Sequence, residues 1–597
     1  MRSLLLLALF LCSIAVYGQA PYILPGTMTD DIADRWDILY GTEDSYFASQ
    51  RNTARDAITE RAYQLLLNEN LSTLDRSDVR YIIADNNEYQ ASDFGLSYTS
   101  SEHIKIYDST SVFYSIESLD GDNPLQISTA RQPILKYFYK SDANFFEVDT
   151  DNFSLRANPI LHLSFGNGVD DPNTIFQNTR GAEIRGRIDD KIYFYTNIHE
   201  NQRRFNNYIE RRIENLKAIP GNGLYKSFQS TVVDQINGYD YLNSQAYAGI
   251  NATESVAIEF GHGKHFIGNG VRSLLTSDYG QNYFYLKFNT RIWKFNYQNL
   301  FAELSPVSAR QNPGDRLLPK KYMAQHYLSF KPTKNIELGI FEAIVFSREN
   351  TFEFQYLNPI ILYRTVEQFL DSPDNALVGL NGKWNIKNRF QIYGQLILDE
   401  FKLDELRSGN GWWANKYGIQ LGAKYINVAG IDHLDLQVEY NVVRPYTYAH
   451  RDSLMSFSDI STASFSHYNQ PLAHPLGANF TELLVDIRYQ PIQRLFIRSR
   501  IISGMYGQDI DGSNFGGNIL IKTGLREFDF GNEIGQGVNT TLMSLSLDVS
   551  YQFAHNYFID INALYRNADA ALDDLDIVTQ YVGFGLRANI GRANLDY

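Results

Sequence analysis

The stretch FTELLVDIRYQPIQRLFIRSRII, residues 480–502, decides the fold. Thr481, Leu483, Val485, Ile487 and Tyr489 take alternate positions, and Glu482, Leu484, Asp486, Arg488 and Gln490 take the others. Side chains alternate faces along a strand, so one face is apolar and the other mostly polar. Gln490-Pro491-Ile492 is a turn signal. A second strand then sets Leu495, Ile497 and Ile501 against Arg494, Phe496, Arg498 and Arg500. One such hairpin fits a soluble sheet as well as a barrel in lipid. Repetition separates the two, because a membrane barrel needs many alternating segments of about ten residues divided by turns.

The pattern repeats. Ala182, Ile184, Gly186 and Ile188 oppose Glu183, Arg185, Arg187 and Asp189. Leu434, Leu436, Val438, Tyr440 and Val442 oppose His433, Asp435, Gln437, Glu439 and Asn441. Further segments begin near 159, 192, 244, 255, 282, 291, 322, 334, 374, 388, 416, 543, 556 and 579, which gives about eighteen strands, an even number as in bacterial barrels. The connections alternate between short and long, with short ones expected at Asp189-Asp190, Thr253–Ser255, Asn289-Thr290, Lys331–Asn335, Asn385–Lys387, Val428–Asp432, Gln490–Ile492 and Ala554-His555. Outer-membrane barrels sort their loops this way, short towards the periplasm and long towards the exterior. The expected fold is an all-β transmembrane barrel of antiparallel strands in the cell outer membrane, with a small N-terminal α-helical periplasmic domain.

Composition agrees. Among 597 residues, 41 Tyr and 37 Phe supply aromatics for two interfacial girdles. Mean hydropathy is -0.31, which suits a polar lumen and polar loops. A net charge of -15 argues against nucleic acid as a partner. Residues 1–18 read as a signal peptide, with Arg2, an apolar run from Leu4 to Val16, and small residues before Gln19. Cys12, the one cysteine, lies in that segment, so the mature chain has no thiol chemistry. Residues 19–100 read as helical, with Ile32, Trp36 and Leu39 on one face, Ile58, Ala62 and Leu65 on another, and a helix start at Ser77-Asp78. Residues 101–157 read as a connector with short strands at Val112–Ile116 and Ile134–Tyr139, and 158–597 as the barrel.

Arg185, Arg187, Asp486, Arg488, Arg498 and Arg500 fall on the lumen face. They either pair across the wall, with Asp486 opposite Arg498, or line a solute path; bulky tyrosines among them point to an obstructed lumen. In the loop 200–243, Phe205, Tyr208, Ile209, Ile213 and Leu216 share a helical face. His262 and His265 lack a third ligand at fixed spacing, so no metal is assigned. Trp412 and Trp413 in an outer loop suit stacking on sugar rings or anchoring at the membrane edge. No catalytic motif stands out and no cofactor is expected.

Four stretches carry a resemblance: Gly261–Leu275; Asn358–Phe369 with Ser372–Leu377; Tyr393–Phe401; and Tyr468-Asn-Gln-Pro-Leu-Ala-His-Pro-Leu-Gly-Ala-Asn479. They resemble the Wzi-like capsule-assembly outer-membrane family, and within it the RemB-type gliding-motility proteins of Bacteroidetes. The resemblance implies an eighteen-stranded barrel with a helical bundle at its periplasmic face. It also implies a surface lectin that organises exported polysaccharide and is not an enzyme. His265, Arg272 and His474 lie in loops that it marks and, together with the outer-loop Trp412 and Trp413, are the candidate glycan-binding residues. The end of the chain in Tyr597 departs from the terminal Phe or Trp usual in such barrels. Two other readings fit: a structural part of a gliding or secretion assembly, with the helical domain docking a periplasmic protein, and a solute channel.

Overall fold

A computed structural model describes residues 20–597, except 42–46, most of 95–138, 170–172, 231–236, 309–316, 349–352, 452–458, 593–594 and some isolated positions. The expected signal segment, residues 1–18, and nearly all of the Ile134–Tyr139 strand candidate lie outside the described residues. The other connector candidate is a strand at Phe113–Ile116.

One closed antiparallel sheet holds twenty strands, of which Phe146–Thr150 and Lys226–Gln229 are short pieces paired on neighbours. The other eighteen form the wall, from Phe153–Gly168 to Ile577–Ala588, and these two close the barrel through Leu161↔Ala588 to Gly168↔Tyr581. Strand count and order match the sequence reading. The wall opens at Phe153, five residues before the expected 158, because the pairing of the first strand with Ile175–Ile188 already begins there.

Eight connections of two to eight residues lie at one end of the barrel, and nine of six residues or more, most of them far longer, lie at the other. One turn shifts. It was expected at Asn289-Thr290 but falls at Trp293-Lys294, because Ile292 pairs with Phe295 and Trp293 adopts φ +53°. The hairpin of 480–502 is corrected as well. A bulge at Gln490-Pro491 sets Ile492 against Leu495, so Asp486 stands opposite Arg500 and not Arg498. Asp486 still reaches both, at 3.0 Å and 2.9 Å.

Outward positions are apolar and exposed, for example Leu421, Val582 and Phe584, each more than 60% exposed. A closed sheet leaves no backbone edge unpaired in lipid, and its apolar exterior makes it an outer-membrane barrel. Inward positions are buried and polar. Several lumenal tyrosines lie flat across a glycine of the next strand: Tyr193 over Gly249, and Tyr393 over Gly422. A Cβ at either glycine would sit 2.1 Å from the ring, so the pairing demands glycine there.

Three helices precede the barrel: α1 (Met28–Tyr40), α2 (Arg55–Leu66) and α3 (Thr73–Asp85). Thr27 caps α1 through Asp30 N, with Asp30 and Asp31 in its first turn. Ile32, Trp36, Ile58, Ala62, Val79 and Ile82 form their shared core. The start expected at Ser77-Asp78 is corrected to Ser72, whose hydroxyl accepts from Asp75 N at 3.1 Å and donates to the Asp75 carboxylate at 3.0 Å. This reciprocal cap outcompetes the later serine.

Candidate functional site

The helices sit inside the short-turn end of the barrel. Arg35 on α1 donates to Asp435 at 2.7 Å, Lys383 reaches Asp37 at 2.5 Å, and Lys424 reaches Asp34 at 2.5 Å. Arg488 bonds Asp31 and Asp34. After α3, Arg185 pairs with Glu88 at 2.8 Å and Arg187 with Asp93 at 3.5 Å. The lumenal arginines at 185, 187 and 488 thus hold the helices, while Arg498 and Arg500 hold Asp486. Tyr22 enters a tyrosine cage where Glu259 pairs with Lys287 at 2.7 Å and accepts from Tyr193 and Tyr285. Tyr22 N donates to Tyr247 Oη at 2.8 Å and Lys287 lies over the Tyr22 ring.

One joint between helices and wall is titratable. Asp75, Asp78 and His433 bring three ligand atoms within 4.8 Å, a spacing open to a metal. Arg35 stands 3.7 Å from Asp75 and supplies a cation to the same cluster. Burial disfavours charge on His433, but its hydrogen bond to Asp78 and that carboxylate's charge outweigh burial and raise its pKa. Burial raises Asp78 too. Both raised shifts act in one direction. For His433, the stability it adds is fully present below about pH 6.5, the unfolded value, and is lost as pH rises through the higher folded value. Protease resistance of the helices should therefore fall on alkalisation through neutral pH. In His433→Gln it should be flatter across the same range.

The long-loop end is closed from inside. The segment 264–281 turns into the lumen and buries Ile267, Leu274 and Leu275 in the largest apolar cluster, with Tyr448, Phe465 and Leu472 of the loop 444–479. Its backbone is tied to the wall: Arg272 N to Glu439 at 3.1 Å and Leu274 N to Gln395 at 2.7 Å. Arg272 pairs with Glu482 at 3.3 Å and Asp596 at 2.9 Å. His474 reaches Glu482 at 2.9 Å, and Arg500 bonds Asp596. Burial works against charge on Asp596, but Arg272 and Arg500 prevail and hold its carboxyl below the usual range. Tyr597 is buried beside Tyr279 and Arg212. The helix Asn207–Leu216 packs on this tail, with Tyr208 donating to Leu595 O.

The five residues marked by sequence divide between two places. His265, Arg272 and His474 lie within the inturned region and are each under 6% exposed. His265 sits between Tyr283 and Tyr285, and burial lowers its pKa. Trp412 and Trp413 are half-buried at the rim. Arg526 covers the Trp413 ring at 4.2 Å and Lys402 the Trp412 ring at 5.4 Å. Trp412 also lines a rim pocket of about 310 Å³ with Glu367, Glu400, Lys402 and His450.

A cavity of about 380 Å³ remains between helices, wall and inturned loop. Asn197, Asn201, Asn243, Gln245 and Asn282 give it an amide wall, and His265, Arg272 and Lys264 also line it. Burial lowers Lys264 to about 8 against the pull of Asp278. Sequence reasoning missed this wall and the tail: asparagines at alternate positions read only as lumenal, and nothing in Leu595-Asp596-Tyr597 signals re-entry.

No family model matches the chain, and no curated protein matches it. Among solved structures it is similar to Wzi, an outer membrane protein involved in group 1 capsule assembly in Escherichia coli and described as a carbohydrate-binding β-barrel. That match has 12% identity, covers 97% of this chain and 100% of that one, and has a TM-score of 0.49. It is similar to OprD of Pseudomonas aeruginosa at 11% identity, covering 73% and 94%, with a TM-score of 0.40. OccAB4 of Acinetobacter baumannii matches at 8% identity, covering 74% and 98%, with a TM-score of 0.39.

Proposed function

We propose that this barrel binds exported polysaccharide at the cell surface and performs no chemistry on it. The observation that carries the reading is the filled lumen. The helices occupy one end and an inturned loop with the chain's tail occupies the other, each held by buried ion pairs. A barrel built this way presents a fixed outer face, and among the described residues the space left between its two plugs is the cavity of about 380 Å³. On that face, Trp412 and Trp413 offer aromatic rings beside charged groups, the chemistry by which sugar rings and their acidic substituents are held. His265, Arg272 and His474 then serve the same face from below, by fixing the inturned loop that supports it. The resemblance of the stretch 468–479 to capsule-assembly barrels supports the same reading.

The test is saturable binding of purified, lipid-reconstituted protein to the cell's own extracted surface polysaccharide. Trp412→Ala with Trp413→Ala should weaken binding tenfold or more, the loss of about 1.4 kcal/mol, while the barrel stays folded. Unchanged affinity in the double variant moves the site away from the rim. Absence of binding in the wild type removes the reading.

A further inference from the structure

The outer connection after the strand Ile336–Phe346 folds down the outside of the barrel. On that strand Leu338 and Ile340 point outward and are at least half exposed. Glu342, Ile344 and Phe346 continue the same outward row, yet they are 6%, 0% and 0% exposed. Their cover is the segment 353–370, a 3-10 turn at Phe354–Leu357 followed by the helix Tyr363–Leu370. Tyr356, Tyr363 and Val366 pack on Phe301, Ala324, Ile344 and Phe346, all outward residues of the wall.

The cover also satisfies polar groups that would otherwise face lipid. Asn299, His326 and Glu342 form one outward row across three strands. Tyr363 Oη meets His326 Nε2 at 2.5 Å, Arg364 N donates to Glu342 at 3.2 Å, and Asn299 donates to Pro359 O at 3.3 Å. Uncovered polar side chains at this depth are costly. Glu342 is not at the rim: it stands opposite Val378, an exposed apolar position, which stands opposite Leu398. Four residues of strand rise beyond it, or about 13 Å at 3.3 Å each.

The segment's other edge is apolar and open. Phe354, Ile360, Leu362 and Phe369 are 66–86% exposed, while Arg364 and Glu367 pair on the opposite side. In water this would be an apolar patch without a reason; at this depth it continues the lipid-facing belt. We propose that residues 353–370 form a flap immersed in the outer leaflet, with Leu362 and Phe369 against lipid acyl chains and Arg364 towards the headgroups. This inference is independent of polysaccharide binding.

Residues 20–597 contain no cysteine, so single nitroxide labels placed there report directly. Labels at Leu362→Cys, Phe369→Cys and Arg364→Cys, with Ile340→Cys as wall reference and Leu317→Cys as loop reference, would be read in vesicles of phosphatidylcholine and phosphatidylglycerol. The readout is collision with oxygen against collision with a water-soluble nickel chelate. All five positions are exposed, and a heat-shift on gels verifies the folded barrel. Positions 362 and 369 should match 340, at least fivefold richer in oxygen relative to nickel than 317, with 364 between. Nickel collision at 362 and 369 equal to that at 317 would place the flap in water and overturn the proposal.

Discussion

Arg272→Ala is expected to free the inturned loop. The guanidinium is 5% exposed and balances Glu482 and Asp596, whose side chains are 1% and 13% exposed. Removing one partner of a buried ion cluster leaves uncompensated charge and costs about 3–5 kcal/mol. His474 is too poor a substitute, since burial lowers its pKa despite Glu482 beside it. The loop 264–281 should then become cleavable by protease in the otherwise intact barrel. Adding Glu482→Gln should restore part of the protection, because it removes one stranded charge. Full protection in Arg272→Ala would mean that the apolar packing of Leu274 and Leu275, with the backbone bonds to Glu439 and Gln395, holds the loop without the ion cluster.

Asp37→Ala should loosen the other end. Asp37 lies in α1, and its carboxylate receives Lys383 and Gln391 while its carbonyl accepts from Asn385. Both Asp37 and Lys383 side chains are 1% exposed. The loss strands Lys383 with Glu337 at 3.8 Å as its remaining partner, so the cost is set at the lower end, about 3 kcal/mol. Amide exchange in α1 should quicken while that of the wall strands stays slow. Equal acceleration of helix and wall would show that the helices and barrel unfold as one unit.

The wall was legible in the sequence because its cause is local. Outward apolar and inward polar residues alternate with period two, and turn residues mark the short connections. The contents of the lumen were not legible, because their causes are remote. Arg35 meets Asp435 and Arg272 meets Asp596, pairs 400 and 324 residues apart. Alternation told that Arg488 faces inward; it could not tell that Asp31 and Asp34 of a helix would meet it there. The bulge at Gln490-Pro491 shows the limit in miniature: one irregular residue pair moved the partner of Asp486 from Arg498 to Arg500. The flap at 353–370 was hidden for a different reason. An amphipathic helix in an outer loop reads the same whether it caps the mouth or lies on the wall, and only Glu342, Ile344 and Phe346 covered from outside distinguish the two. Of the marked residues, the tryptophans lie on the outer rim, while His265, Arg272 and His474 sit beneath it.

The measurement that bears most directly on the account is single-channel current across a planar bilayer with the full-length barrel inserted. A lumen filled from both ends predicts no steady current in the wild type, and current only when deletion of residues 20–95 is combined with Arg272→Ala. Stable ohmic conductance from the wild-type barrel would contradict the sealed lumen and turn the protein into a channel.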